Sequence, residues 1–339
     1  MLISWQSLFY FSSAASGAFS GLLAAGISQM DGLGGQSGWR WIFIIEGLAS
    51  VVIGASCFFL LPDTPNLSGR WLKPEEQRFL NLIHNATRGS SRDQLAEVGQ
   101  KKKLVEWWTV KAVVTDIHLY LQMLVFMSNS VPNYALKFTM PQIIRNMGFT
   151  STNAQLLSSP PYIIGAFSAV ITANFADKYS ARSPFILGPQ SLLIIAYSVL
   201  FVTAANISSN VPLCYVMVCI ACMGVYPILP GCNAWTVNNL AGPEKRNMGI
   251  SFMIMLGNCG GIVGSFIFLE DEKPTYPTGF GSSLAFAAAG IVAVLTVAFL
   301  YRRHNKKYEN MSEEEAREKF SSAELEKMGD RSPLFKYSL

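Results

Sequence analysis

Charge is what this chain lacks most. Of its 339 residues, 14% are Asp, Glu, Lys or Arg and half are hydrophobic, against roughly a quarter charged in an ordinary soluble domain. The few charges are also unevenly spread, collecting in residues 63–116 and 302–339. Histidine is scarcer still: His84, His118 and His304 are all there are. With no H-E-x-x-H, G-x-S-x-G or G-x-x-x-x-G-K pattern, the usual metal, acyl-transfer and phosphate chemistries lack their residues. No Lys or Arg precedes the first apolar run, so that run has no charged n-region and is too long for a secretory signal. The six cysteines all lie in or beside apolar runs, and the Cys219-x-x-Cys222 pair has no His or Cys cluster near it. That setting points to packing rather than redox or metal chemistry. Acid inside the apolar runs is limited to Glu46.

What the chain does have is length of apolar sequence. Eight runs stand out, at about 5–27, 40–62, 117–138, 154–176, 184–205, 211–231, 248–269 and 279–301. Each is near the 20 or so residues that a membrane-crossing helix needs. The third is the least clean, because Asn129, Pro132, Asn133 and Lys137 fall in it. It is expected to be an interrupted span. Gly and Pro elsewhere are no obstacle, since membrane helices tolerate both. The sequence therefore predicts an all-α, multi-pass integral membrane protein.

Basic residues orient it. With eight alternating spans, 22 of the 26 Lys and Arg residues fall on one side, and Arg40, Lys137, Arg145 and Lys273 on the other. Positive loops face the cytoplasm, so both termini and the central block are expected there. Pro74-Glu75-Glu76 predicts the start of a short helix, with its acids at the positive end of the dipole. Lys101–Lys103 followed by Trp107 and Trp108 suits either a segment on anionic lipid or an ordinary topogenic cluster with interfacial tryptophans. Ser312 is placed to cap a short tail helix, Glu313 to Phe320.

The stretch GWRWIFIIEG, followed by an apolar run and LPDTP, resembles the sixth span of the anion:cation symporter branch of the major facilitator superfamily, the allantoate permease type of fungi. MPQIIRNMGFTSTNAQLLSSPPYIIGA, ANFADKYSARSPFILG, VYPILPGCNAWTVNNLAGPEKRNMGI, GNCGGIVGSFIF and GDRSPLFKYSL resemble the same branch in the same order. The resemblance implies a major-facilitator-type helical bundle. Residues 1–62 would be the last two spans of the amino-terminal bundle and 63–116 a cytoplasmic loop. Residues 117–301 would be the complete six-helix carboxy-terminal bundle and 302–339 a cytoplasmic tail. A full member has twelve spans, so this chain is expected to be a truncated gene model, a fragment or a short isoform. The implied activity is secondary transport of a small organic anion, such as a carboxylate or ureido nutrient, coupled to protons across the plasma membrane. No cofactor, metal or nucleic-acid partner is expected. A non-transporting sensor or partner subunit is the alternative.

Such a carrier needs polar groups near the bilayer midplane and small residues between its helices. Asn129, Asn133, Tyr134 and Lys137 on the third span are the first cavity candidates, joined by Tyr162, Tyr226, Asn233 and Trp235. Lys137 either meets an anion or snorkels to the interface. Gly17, Gly21, Gly257, Gly260, Gly261 and Gly264 sit at four-residue spacings that allow helices to touch, either as a sliding interface or as static packing. Asp177, Lys178 and Arg182 resemble an imperfect second copy of the superfamily's loop signature, a conformational latch. Glu46 is the proton-coupling candidate, since a lone membrane carboxylate is functional by default. It lies roughly 9 Å along the helix from Arg40 and about 600° around it, so the two should not pair.

Overall fold

The computed structural model describes residues 2–61, 72–88, 107–179, 181–204, 210–273, 275–321, 324–325 and 328–339. The LPDTP motif beyond Leu61, the Lys101–Lys103 cluster and the Asn206-Ile-Ser208 sequon lie outside them. Among the described residues, the apolar runs form helices over most of their length. In chain order these are α1 (Leu2–Ser28), α2 (Gly38–Leu60), α3 (Pro74–Arg88), α4 (Trp107–Val114), α5 (Ile117–Asn146), α6 (Ser151–Tyr179), α7 (Pro184–Thr203), α8 (Val211–Asn238), α9 (Pro243–Asn258), α10 (Gly260–Phe266), α11 (Pro277–Lys307) and α12 (Glu313–Lys319). Seven of the described helical stretches are long and apolar enough to cross a membrane, and α4 with α5, bent by 60°, makes an eighth if counted as one span. α9 and α10 together form a single stretch, broken only at Cys259.

The chain divides into two compact units, residues 1–25 with 108–339 and residues 26–107. In the first, α5 is central and packs on α6, α8, α9, α10 and α11, while α7 lies against α8 and α11. The expected interruption of the third span is not there. α5 runs unbroken through Pro132 and Pro141 and ends at Asn146, so Lys137 and Arg145 are helical residues. A buried proline removes one N–H and crowds the carbonyl four residues back. Close neighbours make that tolerable in a membrane helix. Here the neighbours come very close: a Cβ on Gly261 would sit 2.9 Å from the Tyr134 ring, one on Gly260 would be 3.1 Å from Ser130 Cβ, and one on Gly264 would run into the Val131 carbonyl. The glycine-rich α9–α10 stretch is thus pressed along α5. α1 uses the same device on α6, where a Cβ on Gly17 would be 3.2 Å from the Tyr162 ring and one on Gly21 3.6 Å from the Gln155 carbonyl. Ser159 Oγ fixes that contact by donating to the Ala18 carbonyl at 2.7 Å.

The second unit carries α2 and α3. Asp31 Oδ1 accepts from the Gly38 N–H at 2.6 Å, and Trp41 Nε1 donates to the Leu33 carbonyl at 3.1 Å, which sets the entry to α2. Phe43, Leu48, Val51, Ile53 and Phe58 of α2 are exposed. A helix apolar on every side suits lipid rather than water. α3 extends the expected short helix to Arg88. In the tail, Ser312 caps α12 as expected, with Glu315 closing a reciprocal capping box.

Candidate functional site

On α5, Gln122, Asn129 and Asn133 are separated by seven and four residues. At about 100° per residue they fall within roughly 40° of one another, a polar line on an apolar helix. All three are buried. Asn129 is fully buried, and neither its Nδ2 nor its Oδ1 has a hydrogen-bond partner. Gln122 Nε2 is also unpartnered, while its Oε1 accepts from the Cys232 thiol of α8 at 3.6 Å. α8 repeats the pattern, since Tyr226 and Asn233 are also seven apart. The Tyr226 hydroxyl and Asn233 Oδ1 are buried without partners, and Asn233 Nδ2 donates to the Tyr10 hydroxyl of α1 at 3.1 Å. Tyr162 of α6 closes on Tyr226 edge to face, with ring centroids 6.3 Å apart.

The arrangement is costly as it stands. An orphaned buried polar group costs about 1–3 kcal/mol, and native structures carry few of them. Five such atoms lie on the polar lines of α5 and α8: Gln122 Nε2, both amide atoms of Asn129, the Tyr226 hydroxyl and Asn233 Oδ1. What that geometry can do is meet water or a polar solute with amide donors, amide acceptors and phenolic hydroxyls, between aromatic rings.

The other sequence candidates fall in different places. Tyr134 is half-buried, and exposed Lys137 holds its Nζ 5.8 Å from the Tyr134 ring centroid. Lys137 follows Asn133 by four residues, so it continues the α5 line at its far end. Trp235 does not join the others. It is fully buried with its Nε1 donated to the Ser338 carbonyl of the tail at 2.9 Å. Asp177 pairs with Arg182 at 3.1 Å across the α6–α7 turn, and Lys178 beside them is exposed. Glu46 lies in the other compact unit, exposed, and its backbone carbonyl accepts from Ser50 Oγ at 2.8 Å. Arg40 turns instead to Gln36 and the Trp39 ring. Three participants were missed: Tyr10, Gln122 and Gln190, whose Nε2 bonds Ser128 Oγ and the Ala287 carbonyl at 3.1 Å each. Glutamines deep in apolar runs were the available signal for two of them. Tyr10 gave none, because its partner is 223 residues away. Among the described residues no group of three or more His, Cys, Asp or Glu side chains could hold a metal ion.

An all-helical chain with this many spans, and polar side chains aimed into its helix bundle, is a multi-pass membrane protein. The sequence profile of the Major Facilitator Superfamily matches residues 2–265 and again 121–337, and the chain belongs to that family. Relatives are named as transporters rather than enzymes. The chain is 32% identical over 343 residues to the MFS-type transporter cnsO of Penicillium expansum, covering 98% of this chain and 64% of that protein. It is 29% identical over 332 residues to the high-affinity nicotinic acid transporter of Saccharomyces cerevisiae, covering 97% and 59% respectively. A solved bacterial homologue of the human lysosomal transporter Spinster, inward-facing and unoccupied, aligns with a TM-score of 0.46 at 16% identity, over 86% of this chain and 64% of that one. The chain spans 57–64% of the length of the first curated relatives it matches.

Proposed function

We propose that this chain supplies the carboxy-terminal half, and part of the amino-terminal half, of a secondary carrier for a small organic anion, a carboxylate or ureido compound. The observation that carries this reading is the set of unpartnered buried amide and hydroxyl atoms on α5 and α8, two helices that pack on each other. Carriers built from two helical bundles bind solute near the midplane and rock around it. Lys137, on the continuation of the α5 line, gives the site or its approach a positive charge. Nicotinic acid, the solute named for the yeast relative, is a carboxylic acid and belongs to the proposed class. In this reading residues 1–62 belong to the first bundle, 63–116 to a cytoplasmic loop, 117–301 to the second bundle and 302–339 to a cytoplasmic tail. The membrane is the plasma membrane. Glu46 carries the coupled proton, and Asp177 with Arg182 forms the latch.

Ligand binding to a folded protein raises its unfolding temperature by mass action, which gives a test that does not require turnover. The purified chain in detergent is heated with a panel of monocarboxylates and ureido compounds, nicotinate and allantoate included. At least one should raise Tm in the parent and not in Asn233→Ala. A panel without any stabilising member, or one that stabilises the variant equally, would reject the site.

A further inference from the structure

The tail is built into the bundle rather than hanging from it. Gly329–Arg331 forms a tight turn that buries Asp330. From there to Leu339 the chain meets helix ends in succession. Lys245, in the first turn of α9, donates to Asp116 Oδ2 at 2.6 Å and to Asp330 Oδ1 at 2.5 Å. Asp116 is fully buried and caps α5 by accepting from the His118 N–H at 3.1 Å. Tyr337 is buried too, its ring stacked on Tyr301 of α11 at 4.3 Å and its hydroxyl directed to Asp330 Oδ2 at 3.4 Å.

The tail's backbone is held as firmly as its side chains. Asn305 of α11 donates to the Tyr337 carbonyl at 2.8 Å and accepts from its N–H at 2.9 Å. Asn239, at the end of α8, treats Ser338 in the same way at 3.1 and 2.7 Å, and Trp235 adds a second donor to that carbonyl. The Arg182 N–H, between α6 and α7, donates to the Leu339 carbonyl at 2.6 Å. Two side-chain amides each satisfying both backbone groups of one residue is the bonding a sheet would supply, here without a sheet.

We propose that residues 329–339 are a strap that ties the neighbouring ends of α5, α8, α9, α11 and the α6–α7 turn into one body, with Lys245 as its latch. The latch position follows from charge: removing Lys245 leaves two buried carboxylates side by side. The His118 ring, 3.2 Å from Asp116, is then the remaining basic neighbour, and among the described residues no other cation pairs with Asp330. An undercompensated buried charge is strongly destabilising. Neither Asp116 nor Asp330 has the exposure to discharge that cost into water. The strap holds its helix ends together whatever solute the bundle carries.

The test uses the full chain with Ser338→Cys, a position whose Oγ is buried and unpartnered. Maleimide labelling of the new thiol is followed by peptide mass spectrometry, which separates it from the native cysteines. The parent should label slowly, Lys245→Met at least tenfold faster, and Lys336→Met, which alters an exposed residue, at the parent rate. If Lys245→Met does not yield a monodisperse protein, Asp330→Asn keeps the side chain's shape and should still speed labelling several-fold. Hydrogen exchange should rise in the same variants at the first turns of α5 and α9. Rapid labelling of the parent, unchanged labelling in both latch variants, or exchange that rises only within residues 329–339 would overturn the strap.

Discussion

Asn129→Val separates a binding site from a structural polar network. Asn129 is fully buried in α5 and both its amide atoms lack partners. Valine removes both orphans with little change in size, and its helix propensity is close to that of asparagine. Each orphan costs about 1–3 kcal/mol, but polar contacts within membrane bundles average only about 0.6 kcal/mol. A net gain of about 2 kcal/mol is therefore the reasoned figure, after a small allowance for the extra methyl volume. At about 2–4 °C per kcal/mol, Tm in detergent should rise by several degrees. Solute binding should fall at least tenfold in the same variant, because a site kept unsatisfied for its ligand trades stability for function. A fall in Tm would mean that Asn129 is already bonded in the resting protein. Unchanged solute affinity would remove it from the site.

Other outcomes follow from the same geometry. Gly290→Ala should cost about 1–3 kcal/mol, an overpacking penalty, because its Cβ would run into Gln190 Nε2 and Ser128 where α5, α7 and α11 meet; thermal unfolding reads it directly, and an unchanged Tm would contradict the packing. Lys137→Met should weaken affinity for an anion about tenfold in a binding titration, whereas equal affinity makes Lys137 an interfacial anchor. In a full-length carrier, Glu46→Gln should abolish uptake driven by a pH gradient while leaving exchange intact; unchanged pH dependence would end its proton role. The strap should resist mild acid. Burial works to raise the Asp116 pKa, but hydrogen bonds from His118 and Lys245 and their charge hold its carboxyl far below the usual carboxylate range. A depressed carboxylate contributes stability above its unfolded pKa of about 3.9 and loses it as pH falls through the folded value. The labelling rate at position 338, taken relative to a free thiol at the same pH because the thiolate is the reacting form, should thus be flat from about pH 7 to 5 and rise only below about 4. A rise already at pH 6 would assign the latch to another group.

The helices were legible because apolar runs of membrane length have few alternative structures. Residues 184–205 and 279–301 became α7 and α11 with ends shifted by a few positions. The third span was misread because Pro132 and three polar residues look like an interruption in sequence. In the fold, Gly260, Gly261 and Gly264 bring a second helix close enough to keep α5 whole. Asn129, Asn133, Tyr226 and Asn233 could be picked as polar exceptions on apolar helices. Trp235 could not be separated from them, because its partner is a backbone carbonyl in the tail. The tail itself reads as a soluble, charged segment. Its role depends on Asn239, Lys245 and Asn305 meeting it from three helices, and no local pattern encodes that. Tyr10 was invisible for the same reason.

The unpartnered polar lines of α5 and α8 are proposed to bind a small organic anion. Equilibrium binding of a panel of radiolabelled monocarboxylates and ureido compounds to the purified chain addresses this directly. Saturable binding of at least one of them is expected, lost in both Asn129→Val and Asn233→Ala while each variant remains folded. Binding that survives both substitutions unchanged, or none for any solute of the class, would contradict it.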